Sequence, residues 1–123
     1  MPDVLGPLER RIMAHVWQSG PSTVAQARDA LNKASSQQLA YTTVMTILQR
    51  LDRKGVVTRR REGRMHVYAP VWSREEYREA RAQVEVDDLV ARFGESALVQ
   101  FARQMDGLDR KRLDELRRLA RRA

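Results

Sequence analysis

A chain of 123 residues with 42% apolar content is long enough for one good core, or for a compact domain with a helical appendage, and too apolar for wholesale disorder. Its apolar runs are too short to span a membrane and its opening residues lack a secretory pattern. It has no cysteine, so disulfides, thiolate zinc sites and thiol nucleophiles are excluded and a cytoplasmic, nucleoid-associated protein without membrane insertion is expected. A formal charge of +7 favours an anionic polymer as partner.

The first helix is expected over Pro7–Gln18, because Pro7 suits a first turn and Leu8, Ile12, Met13, Val16 and Trp17 recur at three- and four-residue spacing. Gly20-Pro21 stops it. Thr23 and Gln26 have capping-box spacing, which starts a second helix over Val24–Asn32 with Val24, Ala27 and Leu31 inward. Lys33–Gln38 reads as a loop. The third helix runs from Tyr41 to about Arg53, with Val44, Ile47, Leu48 and Leu51 on the inner stripe and Gly55 placed to end it. The period then changes to two. Val56–Arg61 and Met65–Ala69 form strands joined by a tight turn around Glu62-Gly63, and a short strand near Ser22 could pair with this ribbon. Tyr68 is expected to pack on the helices.

Pro70 and Ser73 mark a break, giving one domain over residues 5–71 and an all-helical one over 73–122. In the second, a capping box at Ser73 and Glu76 opens a long helix to about Phe93. Gly94 interrupts it, Ala97 to Met105 mark another helix, and Asp109 caps a last one. These helices carry narrow apolar stripes amid dense charge, and some fifty residues cannot easily bury them alone. A two-fold dimer is the economical answer. Its expected contacts are Tyr77, Val84, Leu89, Val90, Phe93, Leu98, Phe101, Met105, Leu113 and Leu116.

The charge is concentrated. Residues 1–72 hold 11 Lys/Arg against 5 Asp/Glu, and residues 50–64 alone hold seven basic and two acidic residues. Thr42, Thr43, Thr46 and Arg50 fall on the outer side of the third helix, where hydroxyl and guanidinium groups suit base edges in a major groove. Arg53 and Lys54, further along, and Arg59, Arg60, Arg61 and Arg64 around the hairpin tip suit phosphates. Each feature alone fits an ordinary solvated surface. Together, a polar helix beside a basic hairpin can straddle a duplex. An enzyme is not expected: there are two histidines, His15 and His66, with no HExxH, no glycine-rich phosphate loop and no metal or cofactor motif.

The segments Gly6–Trp17, Thr23–Ala27, Ala40–Gly55 and Met65–Pro70 resemble the penicillinase-repressor family, which includes methicillin-resistance and copper-responsive repressors. The likeness is strong over 6–70 and looser after 73. It implies a mostly α fold with a small β hairpin: a winged helix-turn-helix domain followed by a helical dimerisation region. It also implies a homodimer that represses genes such as a β-lactamase from a palindromic operator in double-stranded DNA, with Thr42, Thr43, Thr46 and Arg50 on the recognition helix. Family members are released when a membrane-sensor-triggered protease cuts between Asn and Phe. The matching bond here is Gln100–Phe101, with Gln in place of Asn. The cysteine-rich copper motif has no counterpart. The alternatives are a nonspecific architectural DNA-binding protein or a winged-helix protein-interaction module.

Overall fold

The computed structural model describes residues 4–122. Helix α1 (Pro7–Ser19) begins where Pro7 needs no backbone hydrogen-bond partner. Helix α2 (Val24–Ala34) is closed by a full capping box: Gln26 N donates to Thr23 Oγ1 at 3.2 Å, and Thr23 N donates to Gln26 Oε1 at 2.9 Å. Helix α3 (Tyr41–Arg53) ends at Lys54, and Gly55 turns the chain with φ 77°, a left-handed conformation that glycine adopts without strain. Strands β1 (Val57–Glu62) and β2 (Met65–Pro70) pair antiparallel, with Val57 opposite Pro70 and Glu62 opposite Met65. The two-residue turn is therefore Gly63-Arg64, one residue later than the sequence suggests. Gly63 takes the positive φ (61°) that the first central position of such a turn demands.

The ribbon is tied back to the helices at Ser22. Ser22 and Tyr68 exchange both backbone hydrogen bonds at 2.9 Å, making the expected short third strand a single bridge. Ile12, Met13 and Val16 of α1, Val44, Leu48 and Leu51 of α3, and Val56, Val57 and Tyr68 form a core from which water is excluded. Each such side chain contributes about 1.5–3 kcal/mol on burial. Val67 is buried as well, although it lies on the strand face opposite Tyr68. Three helices followed by a hairpin packed on them make a winged helix-turn-helix.

Helices α4 (Arg74–Phe93), α5 (Glu95–Asp106) and α6 (Arg110–Arg121) follow. Ser73 caps α4, its hydroxyl accepting from Glu76 N at 3.0 Å while Glu76 Oε1 accepts from Ser73 N at 2.8 Å. Asp109 caps α6, accepting from Arg112 N at 2.8 Å. The chain divides into two compact units, one ending at Ala82 and the next beginning at Gln83, so the division falls inside α4 rather than at residue 72. The reason is Tyr77. Its ring lies 5.4 Å from that of Trp17 and is buried in the first core, and Trp17 Nε1 donates to the Trp72 carbonyl at 2.9 Å. Tyr77, expected on a dimer stripe, is thus a core residue of the first unit. The aromatic partner across the fold outweighs the spacing along its own helix.

Candidate nucleic-acid interface

The inner stripe of α3 is buried, so its other side is presented outward. Thr42, Thr43, Thr46 and Arg50 are all exposed, as the outer face of an amphipathic helix must be. With Leu8 of α1 and Ile47 they line a shallow groove of about 380 Å³. The Thr46 hydroxyl donates to the Thr42 carbonyl one turn back at 2.8 Å, which commits its proton and turns its lone pairs outward. Arg50 and Arg53 are exposed, and their guanidinium groups have no hydrogen-bond or ion-pair partner among the described residues.

The turn before α3 is held by one side chain. Asn32 Oδ1 accepts from Leu39 N at 2.8 Å, and Asn32 Nδ2 donates to the Leu39 carbonyl at 3.1 Å. Leu39 is buried. The start of the helix is thereby fixed by a polar clamp and an apolar plug. Two residues missed in the sequence reading border this end. Tyr41, half-exposed in the first turn, has the Arg28 guanidinium 5.7 Å from its ring centroid, a cation–π contact. Arg28 lies on α2, 13 residues away in sequence, so only the fold brings the two together.

In the wing, Arg59, Arg60, Arg61 and Arg64 are exposed around the tip. Arg60 pairs with Glu62 at 2.8 Å, and Arg59 approaches Asp52 at 3.9 Å. Arg61 Nε donates to the Gly63 carbonyl at 3.0 Å, and the Arg64 side chain has no such partner among the described residues. Exposed pairs of this kind are weak and salt-screened, so these side chains are free to exchange partners for phosphates.

Lys54, expected to suit a phosphate, is paired within the chain. It is only partly exposed, and its Nζ donates to Glu9 Oε1 at 2.9 Å and to the Val4 carbonyl at 3.2 Å. Glu9 is buried at 5% exposure, and its Oε1 also accepts from Gly6 N at 2.8 Å. Burial pushes the Glu9 carboxyl up. The Gly6 amide, the Lys54 ammonium and the charge of Arg50 outweigh it and hold the group below the usual carboxylate range. A carboxylate reached from 45 residues away had no signal in the local sequence.

The sequence model of the penicillinase repressor family matches residues 5–122. The chain belongs to the penicillinase repressor family. Over 73 residues it is 51% identical to the transcriptional regulator BlaI of Mycobacterium tuberculosis, which covers 58% of this chain and 51% of that protein. The chain thus spans about half the length of that curated relative. It is similar to the solution structure of the DNA-binding domain of the repressor BlaI, at 26% identity and a TM-score of 0.54, covering 63% of this chain and 92% of that one. It is also similar to Bacillus licheniformis BlaI in its monomeric form, in complex with the blaP half-operator, at 26% identity and a TM-score of 0.51 over the same shares.

This penicillinase repressor family member keeps its remaining apolar candidates outside a core. In the second unit Ala97 is the one buried residue among those described. Phe93 and Leu98 are 56% and 55% exposed, Met105 is exposed, and Val84, Leu89, Val90, Phe101, Leu113 and Leu116 are half-buried. Leu89, Phe93, Ala97 and Phe101 line an apolar groove of about 260 Å³ whose rim includes Gln100. Gln100 is exposed and Phe101 half-buried, both inside α5. No helix of the described residues is long and apolar enough to cross a membrane.

Proposed function

We propose that this chain is a sequence-specific, DNA-binding transcriptional repressor that acts as a homodimer on a palindromic operator. One observation carries the reading: the exposed Thr42/Thr43/Thr46/Arg50 face of α3 stands beside a hairpin with four exposed arginines. The helix suits a major groove and the hairpin the adjoining backbone. Family membership supports the reading, as does the half-operator complex of a BlaI at 26% identity. By the same likeness, the regulated genes are of the β-lactamase type.

Pairing occurs through the apolar side chains of the second unit, whose exposure leaves a helical segment that lacks a core. A dimer presents two reading helices one DNA turn apart, about 34–36 Å, or a multiple of it. Phosphate contacts from Arg53, Arg59, Arg60, Arg61 and Arg64 supply salt-dependent affinity, and base contacts select the site. Repression follows because bound protein and polymerase compete for overlapping DNA. Release follows from losing the dimer, which removes the bivalent advantage without touching the reading surface. A sensor-triggered protease acting at Gln100–Phe101 has to unwind α5 first, since both residues are helical.

The deciding experiment selects bound duplexes from a randomised library with the full chain. It then compares the enriched sequence with its scrambled version at about physiological salt. A dyad consensus bound about a thousandfold more tightly is the expected result. Equal affinity for both makes the chain a nonspecific architectural protein, and no salt-dependent binding makes it a protein-interaction module.

A further inference from the structure

We propose that Glu9 is a positioning residue for DNA reading: its buried carboxylate, gripped by Lys54, holds the recognition helix in its reading pose. Lys54 is then an internal anchor rather than a phosphate contact. The inference rests on the DNA-binding function proposed above.

One oxygen does two jobs. Glu9 Oε1 accepts the Gly6 amide at 2.8 Å, which closes the first turn of α1, and the Lys54 ammonium at 2.9 Å, which sits at the C-cap of α3. The start of one helix is thereby tied to the end of another. Lys54 also donates to the Val4 carbonyl at 3.2 Å, so its ammonium is held from both sides of the α1 entrance. The two side chains are 6% and 25% exposed, and salt screens a pair so enclosed far less than it screens the wing arginines.

The other oxygen has none of this support. Glu9 Oε2 is buried without a hydrogen-bond partner among the described residues. Among the described residues the hydrogen bonds of the carboxylate all run through Oε1, and the charge of Arg50 adds to their hold. Neighbouring Leu8 lines the groove that Thr42, Thr43, Thr46 and Arg50 form, so a shift in the first turn of α1 reaches the reading face directly. Contacts to base edges tolerate displacements of only about 0.5 Å. A positive charge at the C-terminal end of α3 is favoured by the helix dipole as well, so the sign of the pair suits its place.

The test uses the full chain, the duplex enriched by the unaltered protein and its scrambled version. Glu9→Gln, Lys54→Met and the double variant are compared at a temperature where circular dichroism shows each of them folded. Each single variant is expected to lower the preference for the enriched duplex by about tenfold. The double variant is expected to lose no more than the worse single, because both break one clamp. The salt dependence of Lys54→Met is expected to match that of the unaltered chain. A slope reduced by about one marks a phosphate contact and overturns the proposal. So does unchanged preference in both single variants with only a lower melting temperature, the signature of a merely structural pair. If Lys54→Met does not fold, Glu9→Gln decides by the same preference. No enrichment by the unaltered chain overturns the DNA-binding reading and this proposal with it.

Discussion

Thr46 and Arg50 share one helix face but differ in what they can offer a base. The Thr46 hydroxyl already donates to Thr42, so outward it presents an acceptor and a methyl group. Arg50 has all its donors free among the described residues. Arg50→Ala is expected to cost about 1–3 kcal/mol of discrimination between the enriched and scrambled duplexes. Thr46→Ala is expected to lower the same preference. Arg64→Ala, by contrast, should weaken both duplexes equally and lower the salt slope by about one. Fluorescence titrations at several salt concentrations read all three. Glu9 adds a pH effect with a definite sign. Its folded-state value is depressed, so its contribution is complete above the ordinary carboxylate range and is lost as pH falls through the folded value. The stability gap between the unaltered chain and Glu9→Gln should be flat near neutrality and close only as acidification passes below the ordinary carboxylate range, as thermal melts will show.

At the scale of elements, the helix boundaries follow from local chemistry. The Thr23/Gln26 and Ser73/Glu76 boxes and the Asp109 cap form where their spacing places them, because each bond closes within three residues. Thr23→Ala should cost about 1 kcal/mol, measured by denaturant unfolding. Helix α3 is held differently at its two ends. Asn32 clamps the turn before it, and the Glu9–Lys54 pair holds its C-cap. The apolar stripe Val44/Ile47/Leu48/Leu51 was legible because its period is local. The two clamps were not, because residues 7 and 45 positions apart meet only after the helices have packed. The hairpin turn differs by one residue for a similar reason. Alternation marks two strands, but the turn is centred on Gly63-Arg64 by the pairing of the strands themselves, with Glu62 opposite Met65 and the Val71 amide donating to the Val56 carbonyl beyond their far end.

Across the whole chain, the first unit has a core and the second leaves its apolar side chains open. Leu98→Asp or Phe101→Asp is expected to give monomers whose affinity for the enriched duplex is about a hundredfold or more poorer, since each then binds a half-site without its linked partner. Sedimentation equilibrium checks the first point and titration the second. Unchanged dimers would rule out that face as the interface.

Periodicity and spacing by themselves determined the helices, the ribbon, the inner stripe of α3 and the basic tip of the wing. Those features depend on contacts within a turn or a strand, where sequence distance and spatial distance agree. Only the tertiary structure decided that Tyr77 belongs to the first core, that Lys54 faces Glu9, and that Arg28 borders Tyr41. In each of these the partner comes from a different element, and the free energy of burial or pairing is realised only once both elements have docked.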